Sequence, residues 1–269
     1  MHKASAFEIL ANRGIWSLVL CVILLASLNQ LRTTFAIFKQ PRTLALLGLS
    51  SLFLTVNWAV YIWSVSVDRV VEASLGYYIT PLVNVAFGVF IFHERMRRIQ
   101  WIAVAFAAVG VVILTIVYGA LPWIAIALAA SWGTYSLVKK TLNLGALEGL
   151  SIETTFALLP NLIYLGYLES QGRAQFGQSL GFSLLLACAG LATVIPLLAY
   201  NGATTRLPLS VTGLLQYICP TIMFLVGTLI NRETMSPGRL VGFCFIWFAL
   251  VFLGTDLVKT NRNLPAQNS

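Results

Sequence analysis

Residues 72–96 read EASLGYYITPLVNVAFGVFIFHERM, a long apolar run with a carboxylate at its head, an asparagine inside it and a proline at its middle. In water a helix of this composition would aggregate. A proline in its interior also removes a backbone donor and clashes with the preceding turn. A bilayer resolves both problems, because membrane-spanning helices accept proline where neighbouring groups re-satisfy the freed carbonyl. The rest of the chain fits this environment. Of its 269 residues 58% are apolar and 10% are charged, against about 25% charged in soluble domains. Mean hydropathy is +0.85.

Apolar segments approaching or reaching the length that crosses a bilayer, about 17–25 residues, recur at 14–28, 44–64, 70–92, 100–117, 121–138, 151–168, 179–200, 209–230 and 239–257. The first extends back toward Ser5. The expected fold is an all-α polytopic membrane protein of nine transmembrane helices joined by short loops. Barrel strands are excluded by the unbroken runs, since barrel strands alternate. Cys21, Cys188, Cys219 and Cys244 stand singly in apolar segments, and the histidines are His2 and His93. No metal-ligand spacing and no cofactor motif is present, and no disulfide is expected. The net charge of +8 reads as a basic cytoplasmic face rather than a nucleic-acid surface.

Lys and Arg mark the cytoplasmic side of a membrane protein. Alternate loops place Arg32, Lys39, Arg42, Arg95, Arg97, Arg98, Lys139, Lys140, Arg206, Lys259 and Arg262 on one side. Lys3, Arg13, Arg69, Arg173, Arg232 and Arg239 fall on the other. The richer side is cytoplasmic and takes the C-terminus. Nine helices would then leave the N-terminus outside, although His2, Lys3 and Arg13 have no secretory signal ahead of them.

A second stretch, residues 211–235, reads VTGLLQYICPTIMFLVGTLINRETM. Leu75, Tyr78, Ile79, Pro81, Gly88, Ile91, Glu94 and Met96 recur there, without a gap, as Leu214, Tyr217, Ile218, Pro220, Gly227, Ile230, Glu233 and Met235. Five expected helices separate the two copies, so the copies cross the membrane in opposite directions. Inverted repeats of this kind are the signature of many secondary transporters. The division is 1–120 for a first repeat of four helices, 121–257 for a second of five, and 258–269 for a cytoplasmic tail. The helix at 121–141 has no counterpart, which would fall ahead of Met1. A first helix is therefore expected to be missing from this chain, and its addition would return the N-terminus to the inside.

The stretches FEILANRGIWS (7–17), NWAVYIWSV (57–65), VEASLGYYITPLVNV (71–85), QWIAVAFAAVGV (100–111) and LPWIAIALAASWGTY (121–135) resemble EamA-type permeases of the drug/metabolite transporter superfamily, and within it the RarD subgroup. The resemblance covers nearly the whole chain and weakens after about Ser151. It implies five-plus-five inverted helices, of which this chain carries nine, both termini cytoplasmic, and a bacterial inner-membrane location. Members are called chloramphenicol-sensitivity proteins, a name that is not a mechanism.

A solute path needs polar or small side chains inside the bundle. Glu72, Gly76, Thr80, Asn84 and Gly88 form one stripe on their helix, flanked by Tyr77 and Tyr78. The glycines also suit close helix packing. Asn57, Trp58, Tyr61 and Trp63 precede it; Tyr200, Asn201, Gln216 and Tyr217 are the second repeat's equivalents; Trp132, Tyr135 and Ser136 come from the unpaired helix. Pro81 and Pro220 are candidate gating points. Asn84 and Gln216 either face a cavity or bond helix to helix. Glu72 either caps a helix near its positive end or binds solute or a proton. Glu8 stands at capping-box spacing from Ser5. Lys139 and Lys140 are expected to anchor a helix at the cytoplasmic surface, and Glu94 and Glu233 to form surface pairs with arginines.

These features point to a secondary-active permease of small organic metabolites or amphipathic, drug-like compounds working by alternating access. No G-x-x-x-x-G-K-[ST] is present, so energy would come from gradients. The expected partners are a small-molecule solute and the lipid bilayer, with no nucleic acid. The alternatives are a truncated remnant that does not transport, or an intramembrane enzyme, for which no catalytic constellation is visible.

Overall fold

The computed structural model describes residues 5–226 and 237–262. Every element among them is helical: α1 (Ala6–Ser27), α2 (Leu31–Ile37), α3 (Pro41–Ser66), α4 (Val70–Phe90), α5 (Arg98–Tyr118), α6 (Trp123–Leu142), α7 (Ala146–Ser170), α8 (Leu180–Arg206), α9 (Leu209–Leu215), α10 (Ile218–Leu225) and α11 (Pro237–Arg262). Local chemistry sets several ends. Ser5 caps α1, its Oγ accepting from the Glu8 amide. Pro41 opens α3, where its fixed φ suits a first turn. Gly119 ends α5 at φ 79, a left-handed value that glycine adopts without strain.

The protein is a helical membrane protein. Among the described residues six helices are long and apolar enough to cross a bilayer: α1, α3, α4, α5, α8 and the stretch Pro237–Asp256 of α11. The expected spans at 121–138 and 151–168 do form helices, α6 and α7, but these carry Lys139, Lys140, Glu148 and Glu153 and are not among the six. Side chains such as Ile116 (71% exposed), Leu159 (66%) and Ile163 (64%) face outward. They suit lipid rather than water.

The expected continuous span at 209–230 is corrected: the helix breaks between α9 and α10 at Gln216 and Tyr217. Pro220 has no N–H to offer the Gln216 carbonyl four residues back. That carbonyl instead accepts from the Cys219 amide at 3.0 Å, a tighter turn. Pro81 stands at the same distance from its own helix start, yet α4 runs on through it. The repeat positions Gly227, Ile230, Glu233 and Met235 lie outside the described residues, as does 263–269 of the expected tail.

The chain folds into two compact units, Met1–Val67 with Thr134–Arg206, and Asp68–Gly133 with Leu207–Ser269. In the first, α1 packs on α7 and α8, and α3 packs on α7. Ile37, Leu47 and Ile152 form a small core there. In the second, α5 packs along α11 and α4 along α9. Its core gathers Leu75, Ala107, Leu114, Leu214, Tyr217, Phe243 and Ile246 among others. Glycine permits the close approaches. A Cβ on Gly110 would stand 2.9 Å from the Gly242 carbonyl oxygen, and one on Gly213 would stand 2.8 Å from that of Pro81.

Helix starts recur at a constant offset. Pro41 and Leu180, Val70 and Leu209, and Arg98 and Pro237 are each 139 apart, and Ala6 and Ala146 differ from this by one residue.

Candidate functional site

The hairpin that joins α6 to α7 brings two charges together inside the first unit. Asn143 takes a left-handed φ of 46 and lets the chain reverse. Lys139 lies in the last turn of α6, and Glu153 lies two turns into α7. Lys139 Nζ donates to Glu153 Oε1 at 3.1 Å, and the two side chains are 3% and 1% exposed. The surface anchor expected at Lys139 is therefore corrected: its ammonium turns inward because a carboxylate waits there.

Other helices complete the cluster. From α3, Ser50 Oγ donates to Glu153 Oε1 at 2.5 Å, and Ser51 Oγ donates to the Glu153 backbone carbonyl at 2.8 Å. From α6, the Tyr135 hydroxyl stands 3.5 Å from Glu153 Oε2 and donates to Asn201 Oδ1 of α8 at 2.9 Å. Ser136 and the Tyr200 hydroxyl are hydrogen-bonded at 2.6 Å. Tyr135 and Asn201 are fully buried. Buried polar groups in a membrane bundle are costly unless bonded to one another, and this network bonds most of them.

Glu153 also lines a small, partly open pocket of about 30 Å³ between α1, α3 and α7. Leu10, Leu54, Trp58 and Ala157 make its apolar wall, while Thr55 and Asn161 add polar groups. The Arg13 guanidinium lies 4.6 Å from the Trp58 ring centroid.

Of the residues expected on a solute path, Trp58 lines this pocket and Tyr135 touches its carboxylate. Asn57 and Tyr61 share α3 with Trp58 but do not line it. Glu72, Gly76, Tyr77, Thr80, Asn84, Trp132, Gln216, Tyr217, Pro81 and Pro220 belong to the second unit. There Glu72 is 1% exposed. It accepts from the Ile124 amide and the Tyr118 hydroxyl, both at 2.9 Å, so it caps the start of α6 rather than its own helix. Arg69 Nε lies 3.6 Å from it. Gly76 packs on α6, where a Cβ would meet Leu128 Cβ at 3.0 Å. Thr80 Oγ1 donates to the Gly76 carbonyl at 2.7 Å. Asn84 is buried against Gly213. Tyr77 is 38% exposed. Tyr217 donates its hydroxyl to the Tyr78 carbonyl at 3.0 Å, beside the turn that Pro81 disturbs.

Two further carboxylates prove to be ties. Glu94, expected as a surface pair, accepts from the amides of Leu209 and Ser210 and from the Ser210 hydroxyl at 2.6–2.9 Å, and so caps α9. Glu8 accepts from the amides of Gln175 and Phe176 at 2.6 and 3.2 Å. Glu153 and Ser50 were not singled out by sequence reasoning. The signal that could have found Glu153 is opposite charges flanking a short turn between two helices.

The EamA-like transporter family matches the chain over residues 1–116 and 121–255. Protein RarD of Streptomyces exfoliatus is 45% identical over 99% of this chain and 85% of its own length. Protein RarD of Salmonella typhi is 42% identical over 97% of this chain and 90% of its own. An uncharacterized transporter of Bacillus subtilis, YojE, is 40% identical over 97% and 89%. A solved crystal structure shares the fold at a TM-score of 0.70 with 17% identity, covering 94% of this chain and 88% of that one. With the family matched in both halves and the relatives matched almost end to end, this chain belongs to the EamA-like transporter family and is a RarD-like permease.

Proposed function

We propose that the chain is a secondary-active permease of the bacterial inner membrane that moves small organic metabolites or amphipathic, drug-like compounds by alternating access. The observation that carries this reading is the pocket of the first unit, apolar in its walls and ending on the buried Glu153 carboxylate.

Alternating access needs two pseudo-equivalent halves. The recurrence of helix starts 139 residues apart supports residues 1–120 and 121–257 as those halves, with 258–269 as a tail. So does the division into units, because each joins a segment drawn wholly or mostly from the first half to one from the second. Tyr78 and Tyr217, equivalent positions, bond to each other, as groups near a pseudo-two-fold axis do. The charge bias of the loops supports a cytoplasmic C-terminus.

The test is solute counterflow in proteoliposomes of the purified chain, run over a panel of amino acids, organic acids, amines and amphipathic drugs. Protein-dependent exchange of at least one class is expected, and it should weaken when Ala157→Trp fills the pocket. Exchange that ignores a filled pocket would remove the site from the path, and no exchange with any class would refute the permease reading.

A further inference from the structure

The short helix between α1 and α3 has two unlike faces. α1 and α3 are both long and apolar enough to cross a bilayer. α2 has seven residues, about 10 Å at the α-helical rise, too short to cross a hydrocarbon core of about 30 Å. It therefore lies at one surface of the membrane. Asn29 takes a left-handed φ of 56 just after α1 and turns the chain into it. One face of α2 is fixed to the bundle. Thr34 and Ile37 are buried, and Ile37 forms a small core with Leu47 and Ile152, the neighbour of Glu153.

The other face combines rings and cations. Phe35 and Phe38 are 66% and 42% exposed, with ring centroids 6.3 Å apart. Arg32 lies one turn before Phe35, Lys39 follows Phe38, and Arg42 stands in the first turn of α3; all three are exposed. None of the three is in an ion pair among the described residues. The sequence holds no Asp or Glu between Glu8 and Asp68. Glu148, in the first turn of α7, on which α2 packs, turns its carboxylate back over Gly145.

We propose that α2 and the turn after it clasp the headgroup of an anionic phospholipid. Arg32, Lys39 and Arg42 meet the phosphate, and Phe35 and Phe38 enter the acyl boundary beside it. Basic residues at a membrane surface attract anionic lipid, and a helix with rings among its cations lies in that surface. A free anion would use the cations and leave the rings in water, whereas a lipid uses both. Leu142 and Leu144, at the α6–α7 hairpin, pack on the same small core as Ile37. A bound headgroup therefore steadies the turn that holds Lys139 opposite Glu153. The clasp does not depend on which solute the permease moves.

The experiment uses the purified full chain, delipidated in dodecylmaltoside, and counts bound lipid by native mass spectrometry. The probes are phosphatidylglycerol and phosphatidylcholine with the same acyl chains. Phosphatidylglycerol should bind at concentrations where phosphatidylcholine does not. Each cation at such a surface is worth about fivefold in affinity. Arg32→Gln, Lys39→Gln and Arg42→Gln together should then weaken phosphatidylglycerol by up to about a hundredfold, and each alone by about fivefold if the triple variant does not fold. Phe35→Ser with Phe38→Ser should also weaken it, with the charges kept. Arg95→Gln with Arg98→Gln removes two exposed cations elsewhere and should leave the clasp filled. Equal binding of the two lipids overturns the proposal, as does parental affinity in the charge or the ring variants, or an equal loss in the Arg95 and Arg98 variant. Displacement of the lipid by an equal concentration of glycerol phosphate overturns it too, because the site would then take a free phosphoester.

Discussion

Replacing Lys139 by methionine keeps most of the side chain's length and removes its charge. In the native protein Nζ stands 3.1 Å from Glu153 Oε1 with both side chains almost wholly buried. At that distance and an effective dielectric constant of about 20, the attraction is about 5 kcal/mol. Part of it offsets the desolvation of the two charges. Removing one partner leaves the other's desolvation uncompensated, so the single variant should lose about 3–5 kcal/mol. Ser50 still donates to Oε1 at 2.5 Å and holds the carboxylate in place, but it brings no charge. Adding Glu153→Gln to Lys139→Met removes the stranded anion and keeps an acceptor for Ser50. The double variant should return to within about 1 kcal/mol of the parent, far short of the sum of the two singles, which is the sign of direct coupling. The assay is equilibrium unfolding in mixed dodecylmaltoside–SDS micelles, followed by helical circular dichroism for the parent, both singles and the double. If Lys139→Met costs less than about 1 kcal/mol, as exposed pairs do, the buried pair is refuted, and the site built on it falls too.

Glu72→Gln keeps one acceptor oxygen for the Ile124 amide or the Tyr118 hydroxyl and loses the charge at the start of α6. It should lower stability by about 1 kcal/mol and leave counterflow near the parental rate; collapse of counterflow in a folded variant would return Glu72 to the solute path. Gly213→Ala places a Cβ 2.8 Å from the Pro81 carbonyl oxygen and 2.9 Å from Asn84 Cβ. It should destabilise by about 1–3 kcal/mol through overpacking. Gly166→Ala meets nothing within 4 Å and should stabilise by up to about 1 kcal/mol; the same micelle titration reads both, and equal effects would contradict the α4–α9 approach.

The membrane class and the approximate helical stretches were legible because they rest on composition and on unbroken apolar runs, although starts such as Ala6 and Ala146 lie ahead of the apolar runs that mark them. Tyr135 and Asn201 were legible as polar residues in apolar surroundings. Lys139 was misread because Lys-Lys at a helix end looks the same whether a cation snorkels to water or turns toward a partner. The partner decides, and Glu153 sits in a polar run, LEGLSIETT, that reads as a helix start. Glu72 was read against its own helix and Glu94 as a surface partner of arginines, whereas each caps another helix. Capping within an element is visible in sequence, and capping between elements is a property of packing. The proline pair shows the same limit: one interrupts its helix and the other does not, although their spacing from the helix start is identical.

The two units are each assembled from chain segments made at different times. Residues 1–67 cannot finish their unit until residue 206 has been synthesised, and 68–133 wait for the last stretch of the chain. At bacterial translation rates of about 5–20 residues per second, that interval is on the order of ten seconds. Throughout it α1 and α3 sit in the bilayer with Glu8, Asn12, Ser50 and Ser51, all buried in the finished protein, still unburied. A half-made chain is therefore two incomplete bodies rather than one complete one. Biogenesis depends on whatever shelters those polar faces, insertase or bound water, until α7 and α8 arrive to cover them.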